Sequence, residues 1–118
     1  MAEFEAVVRP HASAAIIEMS GDLDGRADAA LGTAYREAAA HEPEAVVLNF
    51  ERVGYVNSTG IALIVGVLAE ARKAAVGVRV CGLSEHYRHI FEITRLADFM
   101  TFFPDEETAI GDGMAAPA

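Results

Sequence analysis

The residues best suited to do chemistry in this chain are Asn57, Ser58 and Thr59, closed by Gly60. They sit between an apolar run, Ala45 to Phe50, and a helical pattern that follows, so a hydroxyl pair is delivered to a helix N-terminus. The first turn of a helix has unsatisfied N–H groups and partial positive charge, which tolerate a phosphate on Ser58. A phosphoserine adds about −1.5 to −2 charges and three acceptor oxygens, enough to repel a docked partner surface. The plainer role is structural: Ser58 is the natural N-cap of that helix, assisted by Thr59. The two roles are compatible.

Asp22 and Asp24, in Gly21-Asp22-Leu23-Asp24-Gly25, are the next candidates. As structural residues they shape a turn and cap the following helix; as functional ones they add carboxylates to a binding surface. Position 56 is Val, so Ser58 does not stand in a Gly-x-Ser-x-Gly nucleophile elbow, and no base is placed for it by motif. A small hydrolase using Ser58 or the histidines is therefore the least supported reading. His86 and His89, with Glu85 and Glu92, have helical metal-ligand spacing, but such residues on a polar helix face are most often solvated, and no metal is expected. The segment Gly54 to Gly60 lacks the lysine of a P-loop and the glycine pattern of a dinucleotide fold, so no nucleotide or other cofactor is expected.

A length of 118 residues, 53% of them hydrophobic and 23% charged, suits one globular domain. A formal net charge of −9 opposes binding to nucleic acid or to an anionic membrane and favours a partner of basic character. The longest apolar stretch, Ile61 to Ala69, falls short of the roughly 20 residues of a spanning helix. Met1 to Arg9 does not read as a secretory signal. The single Cys81, in an apolar run, suits a buried thiol in a reducing compartment, and a cytoplasmic location follows. The oligomeric state is not encoded in any of these features.

These residues need elements to hold them. Phe4 to Val8 and Ala14 to Met19 read as a hairpin turning at Pro10-His11, and Asp24 as the cap of a helix through Arg26 to Ala40. Ala45 to Phe50 is a central strand, Glu51 to Asn57 a loop, and Thr59 to Ala74 a helix with Ile61, Ile64, Val65, Leu68 and Ala71 on its buried stripe. Val76 to Gly82 is another strand. Ser84 opens a third helix whose Tyr87, Ile90, Phe91 and Leu96 face the core. Phe99 to Phe103 is a last strand, and Pro104 starts a final turn of helix through Ile110. Residues 1–110 form the domain and 111–118 a flexible C-terminal tail. The order β-β-α-β-α-β-α-β-α implies an α/β fold, a mixed, mostly parallel β-sheet with an antiparallel edge and helices packed on it.

Gly21-Asp22-Leu23-Asp24, Val46 to Phe50, Val56-Asn57-Ser58-Thr59-Gly60-Ile61, Val80-Cys81-Gly82-Leu83-Ser84, Ile90 to Leu96 and Phe102 to Glu107 resemble successive landmarks of the STAS family over nearly the whole chain. The resemblance implies a STAS-like fold and, at this size, a bacterial anti-sigma factor antagonist that is not an enzyme. Members of that kind carry an Asp-Ser-Ser/Thr-Gly motif whose first hydroxyl residue is phosphorylated; Ser58 occupies that place, and Asn57 stands where the acid is usual. By the same resemblance Asp22, Asp24, Asn57, Ser58, Thr59 and Gly60 belong to the partner-binding surface. The implied partners are a serine-kinase anti-sigma factor, which phosphorylates Ser58 and is then released, and a phosphatase acting on phospho-Ser58. The alternative is a STAS scaffold subunit of a signalling or lipid-transport complex that works without phosphorylation.

Overall fold

The computed structural model describes residues 2–114. Five strands, β1 (Glu5–His11), β2 (Ala14–Leu23), β3 (Ala45–Val56), β4 (Gly77–Cys81) and β5 (Thr101–Phe103), alternate after the first hairpin with four helices. These are α1 (Asp28–Ala39), α2 (Ser58–Lys73), α3 (Glu85–Ile93) and α4 (Glu106–Met114). Single 3-10 turns, Gly25–Ala27 and Leu96–Phe99, precede α1 and β5.

The sheet runs β1-β2-β3-β4-β5, with β1 antiparallel to β2 and every later pair parallel, as the alternation of elements requires. Parallel crossovers are right-handed, and because the strand order advances in one direction, α1, α2 and α3 fall on the same face. There Ile17, Met19, Val46, Leu48, Phe50 and Val80 meet Leu31, Ala38, Ile64, Ala71 and Phe91 in the main core. Phe50 and Phe91 meet edge to face at 6.2 Å between ring centroids.

The alternate residues of the same strands, Ala14, Ile16, Val47 and Cys81, build a smaller core on the opposite face with Ala109 of α4. Its polar margin is one connected cluster. The Glu106 carboxylate accepts from Arg9 Nη2 at 2.7 Å and from Asn49 Nδ2 at 2.8 Å, while Asn49 Oδ1 accepts from the Glu51 amide. Burial would raise the Glu106 carboxyl, but these hydrogen bonds and the Arg9 charge outweigh it and leave its pKa lowered. Beneath α4, desolvation, helped by Glu106, Glu51 and Asp105, pushes the buried Cys81 thiol up to about 12.

Several boundaries differ from the sequence expectations, each for a local reason. The hairpin turns at Ala12-Ser13, with Ala12 at φ 55°, and Pro10 lies within β1, an edge strand where its missing N–H costs no ladder bond. β3 continues through the expected loop to Val56, pairing with β2 as far as Leu23↔Val56, whereas its pairing with β4 stops at Asn49↔Cys81. Because this extension has one neighbour and mostly exposed side chains, it lacks the apolar pattern of a buried strand.

On α2, Val67 is buried and Val65 is 43% exposed, reversing the expected stripe at that turn; Ile64, Leu68 and Ala71 stay inside. The last strand begins at Thr101, since Leu96–Phe99 is taken up by a 3-10 turn. The last helix begins at Glu106, where Asp105 Oδ1 accepts from the Thr108 amide at 2.8 Å, and runs on to Met114. Residues 115–118 of the expected tail lie outside the described residues.

Candidate functional site

The end of β2 and the start of α2 are locked together through one carbonyl. Leu23 O accepts from the Asn57 amide at 3.2 Å, and a β carbon added to Gly60 would collide with that same oxygen. Only glycine allows so close an approach, so Gly60 seats α2 against the end of β2, which runs on through Asp22 and Leu23 where the sequence suggested a break, and brings the turn capped by Asp24 beside the first turn of α2. A β carbon on Gly25 would lie 3.2 Å from Thr59 Cγ2, which shows how tightly the turn before α1 packs on the first turn of α2.

Asn57 is the N-cap of α2, in place of Ser58 as expected from sequence. Its backbone is extended (φ −103°, ψ −176°), and its Oδ1 accepts from the Gly60 amide at 2.9 Å. Both residue types are strong caps, and the extended backbone at Asn57 decides between them. Ser58 is therefore the first helical residue. Its side chain is exposed and makes no hydrogen bond among the described residues, which leaves its hydroxyl free for other chemistry. Thr59 is exposed beside it.

The two aspartates are already engaged. Asp24 caps the 3-10 turn Gly25–Ala27, accepting from the Arg26 amide at 2.9 Å, and its carboxylate pairs with the Arg26 guanidinium at 2.7 Å. Those hydrogen bonds, side chain first and then backbone, hold the Asp24 carboxyl below its ordinary range. Asp22 pairs in register with Tyr55, and its carboxylate accepts from the Ala2 amide at 3.3 Å. The site thus gathers Asp22, Asp24, Asn57, Ser58, Thr59 and Gly60 at one end of the sheet.

Sequence reasoning missed Tyr87 in this region. Its hydroxyl accepts from the Val56 amide at 3.0 Å, tying α3 to the residue before the cap. A tyrosine on the core face of a helix was visible, but the pairing across thirty-one positions was not. His86 lies edge-on to Tyr87 with ring centroids 4.9 Å apart. No group of three His, Cys, Asp or Glu side chains among the described residues is arranged to hold a metal, and none of their helices is long and apolar enough to cross a membrane.

Comparison with known proteins places this geometry in context. A family model described as the STAS domain matches residues 3–109. The anti-sigma-B factor antagonist of Staphylococcus aureus (strain NCTC 8325 / PS 47) is 36% identical over 55 residues, 47% of this chain and 51% of that protein. The chain spans about half the length of the curated relatives it matches. An anti-sigma factor antagonist from Mycobacterium paratuberculosis superposes with a TM-score of 0.79 at 20% identity, covering 93% of each chain. The Bacillus cell fate determinant SpoIIAA in its phosphorylated form superposes with a TM-score of 0.72 at 23% identity, over 92% of this chain and 98% of that one. At these identities the superpositions speak to the fold.

Proposed function

The chain belongs to the STAS domain family, and from that premise we propose that it is an anti-sigma factor antagonist: a non-enzymatic binding module of the cytoplasm that captures a serine-kinase anti-sigma factor and is released by phosphorylation at Ser58. The observation that carries this reading is the division of labour at the start of α2. Asn57 does the capping, so the exposed Ser58 hydroxyl can be modified without removing the bond that holds the helix end. A phosphate there meets the free N–H groups and positive pole of a 16-residue helix, so the fold tolerates it. Seen from a docked partner, the same phosphate adds charge to a chain already at −9, beside Asp22 and Asp24. Binding is lost while the fold persists, and a phosphatase acting on phospho-Ser58 resets the switch.

Asn57 favours one alternative. With an amide where the motif's acid is usual, a scaffold subunit of a signalling or lipid-transport complex would keep the same surface and use Ser58 as a contact only.

The test is intact mass and affinity after incubation with ATP and each serine-kinase anti-sigma factor encoded by the same genome, for wild type, Ser58→Ala and Ser58→Asp. The switch predicts one added phosphate on wild type, none on Ser58→Ala, and lost binding by Ser58→Asp. Tight binding that neither ATP nor Ser58→Asp disturbs would favour the scaffold.

A further inference from the structure

The ladder between β1 and β2 begins at Glu5↔Ser20, so the end of β2, Gly21 to Leu23, outruns its antiparallel neighbour. The residues that precede β1 fill that place. The Asp22 amide donates to Ala2 O at 3.0 Å, and the Ala2 amide donates back to Asp22 Oδ2 at 3.3 Å. Next to them the Glu3 carbonyl lies where a β carbon on Gly21 would stand, so glycine, here at φ 88°, is what lets the two segments close. Phe4, 8% exposed in the main core, anchors the segment at its other end. Ala2 to Phe4 form a clip over the end of β2.

The clip closes where β2 is irregular. The register with β3 shifts between Gly21 and Asp22, so a regular ladder does not by itself fix how Asp22 is presented. Asp24, the other carboxylate of the candidate site, is held by the Arg26 guanidinium. Asp22 forms no ion pair among the described residues, and the hydrogen bond that orients its carboxylate comes from the Ala2 amide. Arg26 is held above its ordinary pKa first by its hydrogen bond to Asp24, and the charges of Asp22 and Glu3 add to this, which places the clip and the capped turn in one neighbourhood.

We propose that Ala2 to Phe4 are positioning residues of the partner site, orienting the half-buried Asp22 carboxylate toward a basic group of the anti-sigma partner. The proposal rests on the anti-sigma reading above. Immobilising a loose side chain at an interface lowers affinity, and a carboxylate already held by the Ala2 amide escapes that loss. Asp22 directly precedes Leu23, whose carbonyl accepts from the Asn57 amide, so the oriented carboxylate stands close to the start of α2. A carboxylate on a chain of net charge −9 selects a basic group opposite it.

The test uses the full chain and the serine-kinase anti-sigma factor that binds wild type, with affinities by calorimetry and folding by thermal melts. Ala2 is exposed, so Ala2→Pro, which removes the amide donor, keeps Tm within about 2 °C of wild type and weakens binding about two- to tenfold. Ala2→Gly keeps the donor and binds like wild type. Asp22→Ala binds more weakly than wild type, and adding Ala2→Pro to it has no further effect, because the clip acts through that carboxylate. Equal weakening by Ala2→Pro in both backgrounds overturns the positioning role, as does wild-type affinity in either single variant. In each of those cases a Ser58→Asp chain that does not bind leaves the anti-sigma reading standing. If wild type binds no serine-kinase anti-sigma factor, the anti-sigma reading falls and the clip assignment falls with it.

Discussion

Replacing Glu106 by alanine should loosen α4 from the sheet, and the size of the effect follows from the cluster it anchors. Glu106 Oε1 accepts from Asn49 at 2.8 Å and from Arg9 at 2.7 Å. Asn49 is 5% exposed, so losing its acceptor strands a buried amide donor at about 1–3 kcal/mol. Arg9 is 43% exposed, and solvent screening limits its ion pair to about 0.5 kcal/mol. The sum for Glu106→Ala is about 2 kcal/mol. Glu106→Gln, which keeps an acceptor oxygen, should cost about 0.5–1 kcal/mol.

At about 2.1 cal/mol/K per residue, unfolding 118 residues carries about 250 cal/mol/K, so 2 kcal/mol lowers Tm by about 8 °C. Cys81 is a built-in reporter for α4. Buried beneath that helix with its pKa at about 12, it reacts at pH 8 only when α4 opens. A 2 kcal/mol loss of docking raises the open population, and with it the labelling rate by a thiol reagent, about 30-fold. Because the Glu106 pKa is lowered, its contribution is complete above the unfolded glutamate value of about 4.3 and is lost as pH falls through the lower folded value. The gap between wild type and Glu106→Gln should therefore be constant at neutral pH and close in acid. A Glu106→Ala chain with wild-type Tm and wild-type Cys81 labelling would refute the clasp and leave the apolar packing of Phe103 and Ile110 to hold α4.

Three further outcomes test the site. Asn57→Ala should cost about 1 kcal/mol, roughly 4 °C in Tm, whereas Ser58→Ala should stay within about 0.5 kcal/mol; the reverse order would return the cap to Ser58. Gly60→Ala would ordinarily gain about 1 kcal/mol of helix propensity, but the collision with Leu23 O should turn that into a loss of about 1–3 kcal/mol, read by urea unfolding. A stabilised variant would show that β2 and α2 can separate freely. Tyr87→Phe leaves the Val56 N–H without its acceptor and should cost about 1–2 kcal/mol. Hydrogen exchange at Val56 should speed up in that variant, and unchanged protection there would disprove the tether.

The element order and the position of Ser58 at a helix start were legible because local signals carry them: apolar runs, helical periodicity and capping residue types need no distant partner. The buried Cys81 and the antiparallel edge came from the same kind of information, whereas Asp24 caps the 3-10 turn Gly25–Ala27 and not the expected helix from Arg26, since α1 starts only at Asp28 without a side-chain cap. Tertiary structure decided what depends on partners far apart in the chain. The outer half of β3 is a strand only because β2 pairs with it, Val67 rather than Val65 is buried because the sheet lies on that side, and Asn57 rather than Ser58 caps α2 because the Leu23 carbonyl holds its backbone extended. The Glu106–Asn49–Arg9 cluster and the Tyr87–Val56 bond join positions 31 to 97 residues apart. Periodicity reports which face of an element is apolar, and only the folded chain determines which buried polar atoms meet across it.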